Sequence, residues 1–248
     1  MTAGKTRAPR GTPLNQSVGR AVRMLGFFTP EEPELTLADL TARLQTSKAT
    51  THRYALALRE VGLLRHDPSR GVYTLGPRIV ELAATALAGL RIITVAGPHM
   101  QRLVAEVNET VVLSIWDGDA PVVVRVEDNT DRVVQIVVRT GSRLPEGSAQ
   151  GKVFRAFLGD DSDGTLTPRE REAIRETRVA VNSQVVQQGI RAIATPVFQD
   201  RELAAAMAIV GTTASIPAKP DSGLGRSLRS AAEVLSAELG FLRDERSA

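Results

Sequence analysis

The chain of 248 residues is 42% hydrophobic and 24% charged, the balance of a packed globular protein of about two domains and not of a disordered one. It has no cysteine, which excludes disulfides, thiolate metal sites and thiol nucleophiles, and it shows neither ~18 uninterrupted apolar residues nor a signal peptide's apolar core, so a cytoplasmic protein is expected. The net charge of +3 is unevenly spread: residues 1–76 hold 11 basic against 6 acidic side chains and the remainder 20 against 22, the pattern of a polyanion-binding head on a slightly acidic body.

Residues 1–13 carry Lys5, Arg7 and Arg10 among prolines and glycines with almost nothing to bury, so a disordered tail is expected. Over residues 17–28, Val18, Ala21, Val22, Leu25 and Phe28 form one apolar stripe with Arg20 and Arg23 opposite, a first helix that Pro30 and Pro33 end. Thr36 caps a second helix through Leu37, Leu40 and Leu44, with Asp39 placed for a capping box. After a tight turn at Gln45-Thr46, Ser47 is the N-cap and Gly62 the stop of a third helix, in which Thr51, Ala55, Leu58 and Val61 fall inward. Lys48, Thr50, His52 and Arg53 project from its opening turns, where cations and hydrogen-bond donors suit base edges or phosphates. Taken alone, the segment equally suits a surface helix with a solvated cationic face. Residues 63–65 and 72–75 are strand-like runs around His66-Asp67-Pro68-Ser69-Arg70-Gly71, which makes a hairpin, or wing, behind the third helix with Arg70 near its tip. The residues expected to face a duplex are Arg20, Ser47, Lys48, Thr50, Thr51, His52, Arg53 and Arg70, although the apolar spacing also places Thr51 inward.

The run from Ser17-Val18-Gly19-Arg20-Ala21 through the capped helix and Gly62-Leu63-Leu64 to Tyr73-Thr74-Leu75-Gly76 resembles the winged helix-turn-helix of the isocitrate lyase regulator (IclR) family of bacterial transcription factors. The spacing of Thr50, His52, Arg53, Leu58 and Gly62 is its most specific part, and the similarity extends over residues 17–242. The resemblance implies an α+β protein with a winged helix-turn-helix DNA-binding domain over 14–76, a linker helix over 77–97, and a GAF-like effector-binding and oligomerisation domain with an antiparallel sheet over 98–248. It also implies double-stranded operator DNA and a small-molecule effector as partners, no cofactor, and a homodimer or a dimer of dimers. The linker has a wide apolar face of Ile79, Val80, Leu82, Ala83, Leu87 and Leu90 that a monomer would leave in water, so a second copy is expected against it.

Gly97-Pro98 reads as a restart of the chain, followed by a helix to 108 with Met100, Leu103, Val104 and Val107 inward and His99 at its surface. Residues 110–117, 120–127 and 132–138 are strand-like, the first two joined by a Gly118-Asp119 hairpin signal. A loop over 141–147 leads to a helix over 148–158. The acidic loop over 160–164 lacks an EF-hand's later Glu and reads as a solvated turn. Thr167-Pro168-Arg169-Glu170 caps a helix to 178, strands return over 190–198 and 203–211, and an amphipathic helix over 222–243 closes the chain.

Ser148-Ala149-Gln150-Gly151-Lys152 begins a helix after a loop, where unpaired amides attract anions; close packing of a helix start would use the same residues. The stretch resembles the family's Thr/Ser-Ala-x-Gly-Lys, which implies an effector carboxylate at the amides of Ala149 and Gln150, beside Gly151. By the same resemblance Asn182, Ala192, Ala208 and Val210 line the pocket. Family members that bind small keto acids carry an acidic side chain, a cysteine and two serines at these four places, and the family's Gly-Tyr-Ala run is here Val179-Ala180-Val181. Apolar walls cannot satisfy a compact, highly charged ligand, so a more hydrophobic effector, or a degenerate pocket, is expected.

Enzymatic readings find little support. His52 and His66 lie in the head, His99 stands alone in the body, and no phosphate loop, zinc motif or nucleophile elbow is present. Asp117 and Asp119 read as hairpin-tip residues. The expectation is a ligand-responsive DNA-binding regulator and not an enzyme; the other reading is an enzymatic or ligand-binding body whose head serves protein contacts.

Overall fold

The computed structural model describes residues 16–129, 136–159, 164, 166–183 and 185–241, and the chain divides into two compact units, 1–89 and 90–248. The expected tail and residues 160–163 of the expected acidic loop lie outside the described residues.

In the head, α1 (Gln16–Leu25), β1 (Leu35–Thr36), α2 (Leu37–Leu44) and α3 (Lys48–Glu60) precede the hairpin of β2 (Leu64–Asp67) and β3 (Val72–Leu75), and α4 (Pro77–Gly89) follows. The capping box forms: Thr36 Oγ1 accepts from the Asp39 amide at 3.2 Å, and Asp39 Oδ2 accepts from the Thr36 amide at 2.9 Å, which pairs two of the donors a helix start leaves open. Gln45 then takes a left-handed backbone with φ 54° and turns the chain toward α3. Met24, Phe28, Leu35, Leu40, Leu44, Ala55, Leu58, Leu64 and Tyr73 form one core. The hairpin is antiparallel, and β1 adds a third strand beside β3.

Two helical faces in the head, those of α1 and α3, differ from expectation. Val18 and Val22 are about 60% exposed (59% and 61%) while Met24 is fully buried; the buried stripe of α1 is centred nearer Met24, which leaves the two valines on its flank. Val61 is exposed because α3 ends at Glu60 and Val61 is its C-cap, already leaving the helix. No residue of α4 is buried, and Val80 is 70% exposed.

The body opens with α5 (Arg91–Val107), then β4 (Thr110–Trp116), β5 (Pro121–Glu127), α6 (Ala149–Leu158), α7 (Pro168–Thr177), β6 (Ala180–Ser183), β7 (Ile190–Gln199), β8 (Glu202–Thr212) and α8 (Gly223–Glu238). Its sheet runs β5-β4-β8-β7-β6, every pairing antiparallel. Because side chains alternate along a strand, the two faces have separate cores. Val111, Leu113, Ile193, Val197, Met207 and Ile209 pack against α5 and α8. Ala180, Ala194, Ala206 and Ala208 pack against α6, and small side chains there let that helix approach closely.

The helix expected over 77–97 is two helices. The first ends at Gly89, Leu90 leaves helical geometry with ψ 82°, and α5 runs unbroken through Gly97-Pro98. Gly97 is a place of close approach and not a break: a Cβ there would lie 2.7 Å from NH2 of Arg125, whose NH1 donates to the Ile93 carbonyl at 3.3 Å. His99 is consequently mid-helix and buried, with Nε2 2.8 Å from Glu238 Oε2 and Nδ1 3.2 Å from an Arg102 guanidinium nitrogen. Of the strand expected over 132–138, residues 132–135 lie outside the described set and 136–138 are not a strand; Ile136 and Val138 instead pack on Val112, Val123 and Val210. The closing helix stops at Glu238, short of the expected 243. Among the described residues no single helix is long and apolar enough to cross a membrane.

Candidate nucleic-acid interface and small-molecule site

Helix α3 is held at its start and open along its outer side. Ser47 Oγ accepts from the Thr50 amide at 3.2 Å and donates to Thr50 Oγ1 at 3.0 Å, so the Ser47 hydroxyl is occupied as a cap. Thr51 corrects the sequence reading: it is fully buried, its Oγ1 donates to the Ser47 carbonyl at 3.2 Å, and it lies 3.0 Å from Thr46 Oγ1. It fastens the turn to the helix and cannot reach a duplex. Lys48, His52 and Arg53 are exposed, and among the described residues none has an ion pair or side-chain hydrogen bond. The Tyr54 hydroxyl joins α3 to α1, and its acidity is raised first by a hydrogen bond with Ser17 and then by Arg20 and Arg53. Arg20 thus stands beside Tyr54 and near Arg53 in the second turn of α3.

At the wing tip the arginine is paired. Arg70 NH1 donates to Glu34 Oε1 at 2.6 Å and NH2 to Glu34 Oε2, a fork-on-fork pair. The Arg70 hydrogen bond holds the Glu34 carboxyl below its ordinary range. Arg43 makes a similar pair with both oxygens of Glu32 at 2.9 Å. Asp67 Oδ1 accepts from the amides of Ser69 at 2.9 Å and Arg70 at 3.3 Å, which shapes the turn.

In the body, Ser148 caps α6 by accepting from the Gly151 amide at 3.1 Å. The amides of Ala149 and Gln150 have no hydrogen-bond partner among the described residues, although both residues are buried. Gly151 is needed for packing, because a Cβ there would lie 2.0 Å from the Glu146 carbonyl oxygen. The geometry shows the close-packing role of this helix start, with the first-turn amides of Ala149 and Gln150 lying inside the body beside it. The Lys152 ammonium lies 3.8 Å from Glu170 on α7 and is engaged there.

Asn182, Ala192 and Val210 form a cross-strand row through β6, β7 and β8, and Ala208 is one step along the same face. The structure brings these four together on the side of the sheet that carries α6. Asn182 is 5% exposed, and its Oδ1 has no partner. Sequence reasoning missed Ser114, fully buried on the same face with its Oγ unpartnered; the only available signal was its alternation with Val112 and Trp116. Asp117 and Asp119 pair with Arg143 at 3.0 and 2.6 Å at their hairpin tip. Among the described residues no group of three His, Asp or Glu is placed to hold a metal.

The profile of the IclR helix-turn-helix domain matches residues 17–68, and that of the bacterial transcriptional regulator IclR C-terminal domain matches residues 84–169, together more than half of the chain. The HTH-type transcriptional regulator XynR of Escherichia coli is 29% identical over 92% of this chain and 99% of its own length. Among solved structures, an IclR transcriptional regulator from Alicyclobacillus acidocaldarius superposes with TM-score 0.73 at 24% identity, covering 91% of this chain and 99% of that one. An IclR homologue from Microbacterium hydrocarbonoxydans, solved with 4-hydroxybenzoate, gives TM-score 0.69 at 24% identity over 90% and 99%.

Proposed function

The chain belongs to the IclR family of bacterial transcriptional regulators, and from that premise we propose that the first turns of α3 are its operator-reading surface, with Lys48, Thr50, His52 and Arg53 at the groove and Arg20 on the backbone. The protein is a transcriptional regulator with a helix-turn-helix DNA-binding domain and a C-terminal effector domain. The observation that carries the assignment is the exposure of Lys48, His52 and Arg53 without partners, whereas Arg43 and Arg70 are paired with Glu32 and Glu34. A second copy covers the apolar side of α4 and doubles the half-sites. The body's role is binding, with no catalytic step.

The effector is an organic acid with a hydrophobic body. The unpaired amides of Ala149 and Gln150 supply donors for a carboxylate, Asn182 supplies a polar end, and Ala192, Ala208 and Val210 supply apolar walls. That a relative of the same fold was solved with 4-hydroxybenzoate supports this class. Binding shifts the balance between two arrangements of the oligomer, and DNA affinity changes only by the difference in effector affinity between them.

The test is retention of duplex fragments from the protein's own upstream region across a salt series. A head that neutralises several phosphates loses affinity with a slope of about −0.9 per contact on logarithmic axes. Arg53→Ala is expected to weaken binding to a selected fragment by about 1–3 kcal/mol, roughly fivefold to 150-fold. No retention at low salt would favour the protein-contact reading of the head, and indifference to a panel of aromatic and aliphatic acids would remove the sensor.

A further inference from the structure

Of the cations assigned to the duplex, Arg70 is the one whose guanidinium is already held by a carboxylate. Both of its terminal nitrogens donate to the two Glu34 oxygens, while Arg53 and Lys48 are free. The two side chains remain open to solvent, at 58% and 37% exposure, so the pair contributes little to folding and its geometry answers to something else. Its surroundings are acidic as well. Asp67 lies at the base of the same turn and acts on Arg70 together with Glu34, so two carboxylates face this one guanidinium. A phosphate that approaches Arg70 must either displace Glu34 or come close to its carboxylate, and both oppose binding.

We propose that Glu34 masks the wing-tip cation and holds down sequence-independent DNA binding. The inference rests on the DNA-binding reading of the head and adds to it a residue that weakens the interface by design of charge. Phosphate contacts raise affinity for every sequence alike. A wing arginine engaged by an intramolecular carboxylate therefore leaves recognition to the base-facing residues of α3, and occupancy of the many competing sites in a genome falls.

The experiment measures the full chain on a random-sequence duplex by fluorescence anisotropy over a salt series, for wild type, Glu34→Gln, Arg70→Ala and the double variant. Glu34→Gln is expected to bind about fivefold more tightly at low salt and to steepen the salt slope by about one cation. Arg70→Ala alone should stay within about twofold of wild type, because its cation is already neutralised, and the double variant should lose the gain. A gain that persists in the Arg70→Ala background would show a general charge effect and overturn the proposal. So would Glu34→Gln binding equal to or weaker than wild type, which would make Glu34 a support that aims Arg70 at the phosphate. Failure of the wild-type protein to bind any duplex would instead remove the DNA-binding reading itself. Both positions are exposed, and unchanged tyrosine absorbance, which reports the head through Tyr54 and Tyr73, verifies that each variant is folded.

Discussion

Helices α3 and α6 begin with the same device and end in opposite surroundings. In each, a serine hydroxyl accepts the amide three residues on, Ser47 from Thr50 and Ser148 from Gly151. In α3 the opening turns present the exposed Lys48, His52 and Arg53; in α6 the residues after the cap are Ala149, Gln150 and Gly151, all buried. The cap fixes where a helix starts, and its neighbours decide what the start can meet. A long polyanion needs exposed charges that it can reach from outside, whereas a small anion needs amides fixed in direction and shielded from water. The two units can be followed separately in the intact protein, because both tyrosines, 54 and 73, lie in the head and the only tryptophan, 116, lies in the body.

The largest expected effect is at the buried start. Gly151→Ala places a methyl 2.0 Å from the Glu146 oxygen and 2.6 Å from its carbonyl carbon, so backbone must move. The body is expected to lose about 2 kcal/mol or more, read by Trp116, which contacts Phe154 on α6 with ring centroids 5.3 Å apart. Tyrosine-detected melting of the head should not change. An unaltered tryptophan transition would mean that α6 relaxes freely and that the packing account of this glycine is wrong.

What could be read in advance follows the same division. The head's signals are local: Thr36 with Asp39, Ser47, and the Asp67–Gly71 turn each act within four residues, and those elements lie where the spacing puts them. Errors came where a contact is distant in sequence. Nothing near Arg70 announces Glu34, 36 residues away, and nothing near Gly97 announces Arg125, so a site of close approach was read as a chain break. In the body, β4 and β5 are legible from runs of β-branched residues and β7 and β8 from apolar runs of strand length. The insertion of β8 between β4 and β7 is not, because that pairing joins segments almost a hundred residues apart. The pocket row Asn182–Ala192–Val210 depends on that register, and only the family resemblance supplied its members beforehand.

A smaller effect sharpens the pocket side. Asn182 Oδ1 is buried without a partner, a cost that the apo protein bears. Asn182→Leu keeps the volume and removes the unsatisfied group, so the body should be unchanged or up to about 1 kcal/mol more stable, while any response to an acid effector is lost. A body clearly weakened in tryptophan-detected denaturation would place Asn182 in the scaffold and leave the ligand to other groups.

The smallest effect compares head and body through a feature they share. Both hold a capping box, Thr36 with Asp39 and Thr167 with Glu170. Hydrogen bonds from the Thr36 hydroxyl and then its amide hold the Asp39 carboxyl below its ordinary range, and those from the Thr167 amide and then its hydroxyl do the same for Glu170. A carboxyl depressed on folding stabilises above its unfolded pKa, and that contribution disappears as pH falls through the folded value. Asp39→Asn should therefore lower the tyrosine-detected melting temperature at neutral pH and leave the tryptophan transition in place. On acidification the head transitions of variant and wild type should converge, since protonation removes from the wild type what the substitution already took. Two parallel curves down to low pH would show that the ionised carboxylate contributes nothing beyond the polarity an asparagine retains. Glu170→Gln is the mirror test, and it should move the body alone; a shift of both signals by either variant would mean that the two units do not melt independently.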